Sequence, residues 1–549
     1  MLRDRGCFIN PTYEKPDRPA PPGIEQRYKI KRRSDQPIAL ADLDAKAWKA
    51  RTVARGDRFR MGEHFDATAS PVIHAAATKV FIAWAVAKGL HLYEWDEEAA
   101  FYGNTMDKPL VVKLPPGFHP TSDEILPLDS PPMYATMVKG VPGIPQGSLL
   151  QYHDIAPALL DLGFAPTQAD NCLFVHPSLT MAATLHVDDG ILACPSPEHA
   201  EAILGKHGLG KTRNLTWGPL KSTLGIDFKI VYTPERRTVF MSQPAYAATI
   251  MERANMQNCN AARTPAIPGF KYTKADCPAT NKAKEEVLAA GYNPRKFRTI
   301  NASVNFLVTM TRPDLRFSNG KVNKYNANPG IPHFKAQKHE CRFINGTRNY
   351  GIEFNWFANH PEPIDGPLHV IAYSDSSFAD DVDTGRTTLG FIIQVNGATV
   401  SAASWLSPRV DSCVNHSELN AFGGMVDGTD GEFTDGSSAA MVKMGRTITW
   451  IRGIKAALEG RDPKTIPPTP CLVDNNGVLS MLKDINIKTA NRHIFRSLAE
   501  NRERVNLDKI VVPCKVDTKD NLANAMTKQE RAVFESAAQL RQIAGPCTL

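Results

Sequence analysis

The chain has 549 residues, 42% hydrophobic and 22% charged, with 64 Lys and Arg against 57 Asp and Glu. That length accommodates several domains, and the composition is that of globular protein rather than a disordered or fibrous chain. The start MLRDRGCFIN has no apolar signal core and no stretch reaches the roughly 18 apolar residues of a membrane span, so neither secretion nor a membrane partner is expected. The ten cysteines are scattered without a C-x-x-C pair, which argues against a zinc site or disulfide framework and for a reducing compartment. Positive charge is concentrated locally. Residues 1–60 carry 15 Lys and Arg against 8 Asp and Glu, with a run at Lys29, Lys31, Arg32 and Arg33, and residues 310–349 carry 8 against 2. Each is either a contact surface for a polyanion or a solvated face.

In chain order, residues 1–24 include the Pro-rich stretch PTYEKPDRPAPPG and read as an extended arm. Strand-like basic stretches follow around Arg27–Arg33 and Lys49–Arg55. Pro71–Gly89 has helical spacing and ends on a glycine stop, and its apolar run Val72–Ala87 predicts a buried helix. His91–Trp95 alternates like a strand and delivers Asp96 at its end. A helix is predicted over Ser148–Leu162, kinked at Pro157. MAATLHVDDGILAC places two apolar runs around Asp188-Asp189-Gly190, predicting a hairpin with Asp-Gly at the turn. Pro and Gly clusters in 355–367 suggest a domain boundary. Beyond it, Leu368–Tyr373 reads as a strand ending near Asp375. Leu389–Val395 and Ala398–Ala403 flank the hairpin signal Asn396-Gly397. Pro470–Val473 leads to Asp474, and Ile510–Cys514 is a further short strand.

Asp96, Asp188 and Asp189 would thus meet at one sheet edge. Carboxylates held together repel unless a cation lies between them, and hard cations such as Mg²⁺ take oxygen ligands. Two such ions about 4 Å apart serve nucleotidyl transfer: a hydroxyl attacks a phosphate and pyrophosphate leaves. A lone Asp-Asp-Gly is also an ordinary polar turn.

The surrounding residues carry more information. Lys49-Ala-Arg-Thr-Val-Ala-Arg-Gly56 resembles K-A-R-L-V-A-R-G, and Trp95-Asp-Glu-Glu-Ala-Ala-Phe-Tyr-Gly-Asn104 resembles L-D-V-K-N-A-F-L-N-G. Gly143-Ile-Pro-Gln146, Leu162-Gly-Phe164, Ala169–Val175, Leu185-His-Val-Asp-Asp189, Trp217–Leu220, Leu224-Gly-Ile226, Arg263-Thr-Pro265 and Thr311-Arg-Pro-Asp314 continue in order. Together they resemble the copia-type retrotransposon reverse transcriptases over roughly residues 25–350. The resemblance implies Asp96 and Asp188 as the main metal ligands, with Asp189 supporting them. It implies that Gln146 contacts the incoming nucleotide, that Phe101 stacks under the sugar and excludes a 2′-hydroxyl, and that Lys49, Arg51 and Arg55 contact triphosphate or template. A core role for Phe101 and a solvated strand face for the three cations stay open. The sequence departs from the pattern at His186 (Tyr in the family), Gly103-Asn104 (Asn-Gly), Gln151 (Trp) and Gly147-Ser148 (Ser-Pro).

Further on, Ala372-Tyr-Ser-Asp-Ser-Ser-Phe-Ala-Asp380, Thr384–Gly390, Ser404-Trp405, Val473-Asp-Asn-Asn476, Asn491-Arg-His493 and Leu522–Lys528 resemble the family's ribonuclease H region, over roughly 366–530. Asp375 and Asp474 match its metal-binding acids. The helix-borne acid is Glu418 or Glu432, separated by a Gly-rich stretch. The fourth acid position is Asn524, a neutral and weaker ligand, with Asp520 a turn away as a substitute.

The resemblance therefore implies an α+β chain. Residues 25–240 would form the fingers and palm of a right-hand polymerase and 241–365 a thumb or connection region. A ribonuclease H-like mixed sheet over 366–530 and a tail over 531–549 would follow. It implies RNA-directed DNA polymerase activity with an impaired ribonuclease H. The cofactors would be two Mg²⁺ per active site, replaceable by Mn²⁺. The partners would be RNA template, DNA primer, RNA–DNA hybrid, deoxynucleoside triphosphates and other polyprotein products. The location would be a cytoplasmic virus-like particle or the nucleus. With no zinc knuckle, protease motif or integrase segment recognisable, the expectation is a fragment of a longer polyprotein. The rival is a decayed relic that binds nucleic acid without turnover.

Overall fold

The computed structural model describes residues 7–14, 23–30, 48–116, 118–119, 127, 129–357, 368–423, 444–484, 494–528 and 543–548. Helices and sheets mix throughout them, and the architecture follows the alternation of the strands. A six-stranded sheet has the order Leu215–Pro219, His91–Glu97, Asp189–Cys194, Ala182–His186, Leu173–Val175, Ala165–Pro166. The strand predicted at His91–Trp95 runs two residues longer and carries Asp96 within it. A second, five-stranded sheet contains the hairpin Ile226–Tyr232/Arg236–Ser242 and the strand Tyr350–Phe357. A three-stranded sheet (Phe8–Thr12, Tyr134–Lys139, Thr105–Lys113) and the basic ribbon Ile24–Ile30/Trp48–Ala54 complete the N-terminal part.

The C-terminal sheet is mixed. Ala398–Leu406, Thr388–Val395 and Val370–Ser377 are antiparallel, whereas Val370–Ser377, Thr469–Val473 and Val511–Lys515 run parallel. The Asn396-Gly397 turn forms as the sequence predicts, with φ of 51° and 79°, the two left-handed residues that a type I′ hairpin requires.

The apolar helix spans Ala75–Lys88. His74 caps its start, accepting from the Ala76 N–H, and Gly89 at φ 71° closes its end. Phe81 and Trp84 are fully buried, each contributing about 2–3 kcal/mol by removal from water. The apolar core to which this helix belongs continues from the six-stranded sheet into the C-terminal mixed sheet, joining Leu92, Ile191 and Val239 to Phe391, Ile451 and Val473. The indole N–H of Trp450, on the helix Met444–Glu459, donates to the carbonyl of Ala169 at 2.6 Å across that junction. The helix Gly147–Asp161 continues through Pro157, whose missing N–H leaves the His153 carbonyl without its usual donor.

The basic segment 310–349 is largely consumed inside the fold. Arg312 is 1% exposed and forms a fork on Asp314 (2.9 and 2.7 Å) while donating to Thr347. The Thr-Arg-Pro-Asp motif is therefore a buried ion pair, whose disruption costs about 3–5 kcal/mol. Lys321 pairs with Asp380, and Lys324 with Asp381 and Asp383, tying the helix Arg316–Asn323 and its end to the loop after Val370–Ser377. Among the described residues no helix is long and apolar enough to cross a membrane, and the ten cysteines are free thiols.

Candidate active sites

The first acidic group is positioned by strand register. Asp189 lies directly opposite Asp96 across the antiparallel pair, so both carboxyl groups share one face of the sheet. Asp188 lies in the turn joining Ala182–His186 to Asp189–Cys194, and its carbonyl accepts from the Glu97 N–H at 3.2 Å. The strand that carries Asp96 and the turn that carries Asp188 are thus stitched together by a bond one residue from Asp96.

The turn itself corrects the sequence reading. Asp189 pairs with His186, so the two-residue connection is Val187-Asp188, and Asp189-Gly190 already belongs to the strand. Gly190 is required for a different reason. A Cβ there would fall 2.0 Å from Cζ2 of the buried Trp95. The left-handed residue is instead Val187, at φ 58°. A β-branched side chain in that region stores about 1–3 kcal/mol, a kind of strain that concentrates at functional sites.

Electrostatics mark the same place. The Asp189 carboxyl is pushed up to about 7, first by burial, then by a hydrogen bond with Asp96 and by the charges of Asp188, Asp96 and Glu94. Glu94 is held by the backbone N–H groups of Lys221 and Ser222. Crowding of this kind is what a divalent ion would relieve.

The other expected residues lie on separate elements of the N-terminal part. Phe101 sits on the short turn Ala100–Tyr102, entered through Ala99 at φ 59°, and its ring abuts Gly147 so closely that a Cβ there would meet Cδ1 at 3.0 Å. The departure to glycine at 147 therefore makes room for Phe101. Gln146, the N-cap of the helix Gly147–Asp161, is fully buried. Its Nε2 reaches Asp107 at 3.4 Å, while its Oε1 is buried without a hydrogen-bond partner among the described residues. Arg55 is engaged by Asp57 (2.9 and 2.8 Å) and Glu25 (2.7 Å), which hold its guanidinium firmly charged. Lys49 and Arg51 lie on the strand Trp48–Ala54, opposite Lys29 and Arg27 in register. Arg32, Arg33, Glu432 and residues 491–493 lie outside the described residues.

The second acidic group is tighter. Ligand atoms of Asp375, Glu418 and Asp474 all lie within 4.8 Å of one another. Asp375 comes from Val370–Ser377, Asp474 from the end of Thr469–Val473, and Glu418 from the helix Val414–Gly423. Glu418 is pushed up to about 8 by burial and by the charges of Asp375 and Asp474, despite a hydrogen bond from Ser376. Its Oε2 is buried without a hydrogen-bond partner among the described residues. Burial also raises the Asp375 carboxyl, which accepts from Thr527 and lies 3.3 Å from the Lys528 ammonium. Lys528 also donates to the side-chain amide Oδ1 of Asn524. Asp520 is exposed and is not part of this group.

Sequence reasoning missed Glu97, Gln151, Asn104 and Arg213, which meet behind the first group. The signal was available in the strand His91–Glu97, where an acid stands at a buried position.

The sequence profile of the family described as reverse transcriptase (RNA-dependent DNA polymerase) matches residues 27–268. The Pol polyprotein of the tobacco (Nicotiana tabacum) transposon TNT 1-94 is 23% identical over 90% of this chain. The chain belongs to the copia-type retrotransposon reverse transcriptases. A second similar polyprotein, from the Arabidopsis thaliana transposon RE1, is 25% identical over 91% of this chain. A putative transposon Ty5-1 protein of Saccharomyces cerevisiae is 21% identical over 58% of this chain and 94% of its own length. The chain spans 34% of the tobacco polyprotein and 30% of the Arabidopsis one, about a third of either. The copia-type match covers both acidic groups.

Proposed function

We propose that this chain is an RNA-directed DNA polymerase acting by two-metal nucleotidyl transfer. The observation that carries the reading is the facing of Asp96 and Asp189 in register, with Asp188 stitched beside them by the Glu97 N–H. In this reading residues 25–240 form fingers and palm and residues 241–365 a thumb or connection. Asp96 and Asp188 hold Mg²⁺ with Asp189 supporting, and the strongly raised Asp189 carboxyl fits a site built for a cation. Bound Mg²⁺ would lower the pKa of the primer 3′-hydroxyl and neutralise phosphate charge. Phe101 bounds the sugar pocket, Gln146 contacts the incoming nucleotide, and Lys49, Arg51 and Arg55 contact triphosphate or template. Arg55 would exchange a carboxylate partner for phosphate. The substrates are an RNA template, a DNA primer and deoxynucleoside triphosphates.

The test is primer extension on an RNA template with Mg²⁺, with Asp188→Asn as control. Extension is expected from the natural chain and loss of at least 100-fold in the variant, at unchanged thermal stability, since Asp188 contributes charge at a turn rather than packing. Equal rates would overturn the assignment.

A second, weaker activity is favoured by the Asp375/Glu418/Asp474 group. Residues 366–530 form a ribonuclease H-like domain that retains three of the acids needed to hold metal for hydrolysis of the RNA strand of a hybrid. The Asn524 amide and the Lys528 ammonium occupy the side where a fourth carboxylate would hold a second ion. Hybrid cleavage is therefore impaired. Decay of both activities into a nucleic-acid-binding relic is the alternative, and the same extension assay decides it.

A further inference from the structure

Behind the first acidic group lies a run of polar contacts, buried from Asn104 to Glu97 and reaching the surface at Asp154. The Asn104 amide donates to Gln151 Oε1 at 2.8 Å, and Gln151 Nε2 donates to Glu97 Oε2 at 2.8 Å. Glu97 Oε2 lies 3.6 Å from the Arg213 guanidinium, which also reaches the Asp154 carboxylate at 2.5 Å and its carbonyl at 2.8 Å. Gln151 is fully buried, Asn104 is 3% exposed and Glu97 7% exposed. Buried polar groups of this kind are expensive unless satisfied; Asn104, Gln151 and Glu97 satisfy one another by hydrogen bonds, and Arg213 meets Glu97 as an ion pair.

What the chain connects gives it meaning. Glu97 follows Asp96, and its N–H holds the Asp188 turn. Asn104 follows the turn that carries Phe101. Gln151 and Asp154 lie on the helix whose N-cap is Gln146. Arg213 precedes the strand Leu215–Pro219, which pairs with the Asp96 strand from its other side. The elements that carry Asp96, Phe101 and Gln146 are all tied to this one network. Asn104 and Gln151 are also positions where the sequence departs from the family pattern, and their departures are hydrogen-bonded to each other.

We propose that Asn104, Gln151, Glu97 and Arg213 are positioning residues that set the distance between the metal-binding acids and the sugar pocket, and so govern nucleotide affinity and sugar discrimination. This rests on the polymerase reading above. None of the four touches substrate. They act by fixing Asp96, Phe101 and Gln146 relative to one another, and misplacement by about 1 Å at such a site is worth on the order of 100-fold in rate.

The experiment is single-nucleotide extension with deoxy- and ribonucleotides, comparing the natural chain, Gln151→Glu, and Gln151→Glu combined with Glu97→Gln. Gln151→Glu sets two carboxylates against each other in a buried place. The exchange puts an amide donor back opposite a carboxylate and leaves the Asn104 bond intact. Gln151→Glu is expected to raise KM for the deoxynucleotide and narrow deoxy-over-ribo selectivity by about tenfold each, and the exchange to restore both to within about twofold. A network that merely supports the fold would lower the melting temperature and active fraction without moving selectivity. Unchanged selectivity in folded Gln151→Glu, or failure of the exchange to restore it, overturns the proposal while leaving the polymerase reading in place. A natural chain that extends no primer overturns both.

Discussion

Gly190→Ala isolates the physical requirement at the first acidic group. The added methyl would lie 2.0 Å from Trp95 Cζ2 and 2.4 Å from both Cε2 and Cη2. Ordinary carbon contacts begin near ~3.5 Å, so the ring must retreat by roughly 1.5 Å. Trp95 is 2% exposed and enclosed by the core, and a close-packed interior yields little. Overpacking of this kind costs about 3 kcal/mol. Trp95 precedes Asp96, so its displacement moves an acid directly opposite Asp189. A shift of about 1 Å there should lower extension by on the order of 100-fold. The assays are thermal melting and single-nucleotide extension of Gly190→Ala, Trp95→Leu and the pair. If the clash is the cause, the smaller leucine relieves it, and Gly190→Ala should do little further harm in the Trp95→Leu background. Equal damage in both backgrounds would mean that Gly190 serves the backbone of a turn. Natural stability and activity in Gly190→Ala would refute the reasoning outright.

Phe101→Val should admit ribonucleotides by opening room for a 2′-hydroxyl. Unchanged deoxy-to-ribo selectivity in single-nucleotide incorporation would reduce Phe101 to a packing residue. Lys79 lies fully buried in the helix Ala75–Lys88, donating to the Thr309 carbonyl at 2.9 Å, and burial pushes its ammonium from 10.5 down to about 7. A cation with a lowered pKa destabilises the fold as pH falls from the unfolded value, so stability should rise between pH 7 and 10. Lys79→Met should flatten that dependence and gain up to about 4 kcal/mol at pH 7, read from urea unfolding at several pH values; a natural chain with flat stability over that window would contradict it. Asn524→Asp should raise cleavage of a labelled RNA–DNA hybrid, more at low Mg²⁺ than at saturation, because a carboxylate offers both a stronger ligand and a partner for Lys528. No gain across a Mg²⁺ titration would place the defect elsewhere in the Asp375/Glu418/Asp474 group.

Much of this protein is written in short-range patterns. Alternation specifies the strands around Asp96 and Asp474, Gly89 ends its helix, and Asn396-Gly397 makes a type I′ turn, because each depends on a few neighbouring φ angles or on which face a residue presents. The order of short motifs was equally legible and identifies the family. Three-dimensional packing decided the rest. Whether Asp189-Gly190 was turn or strand depended on register with Asp96 and His186, and the glycine at 190 answers to Trp95, 95 positions away in sequence. The positive run in 310–349 looked like a surface until Asp314, Asp380, Asp381 and Asp383 were brought against it. Glu418 joins Asp375 and Asp474 because a helix docks on the sheet, and no local spacing encodes that approach. Asn104 and Gln151 looked like scattered departures from a pattern, and Glu97 and Arg213 like nothing in particular, since hydrogen-bond satisfaction is settled between distant segments only when burial removes water as the alternative partner.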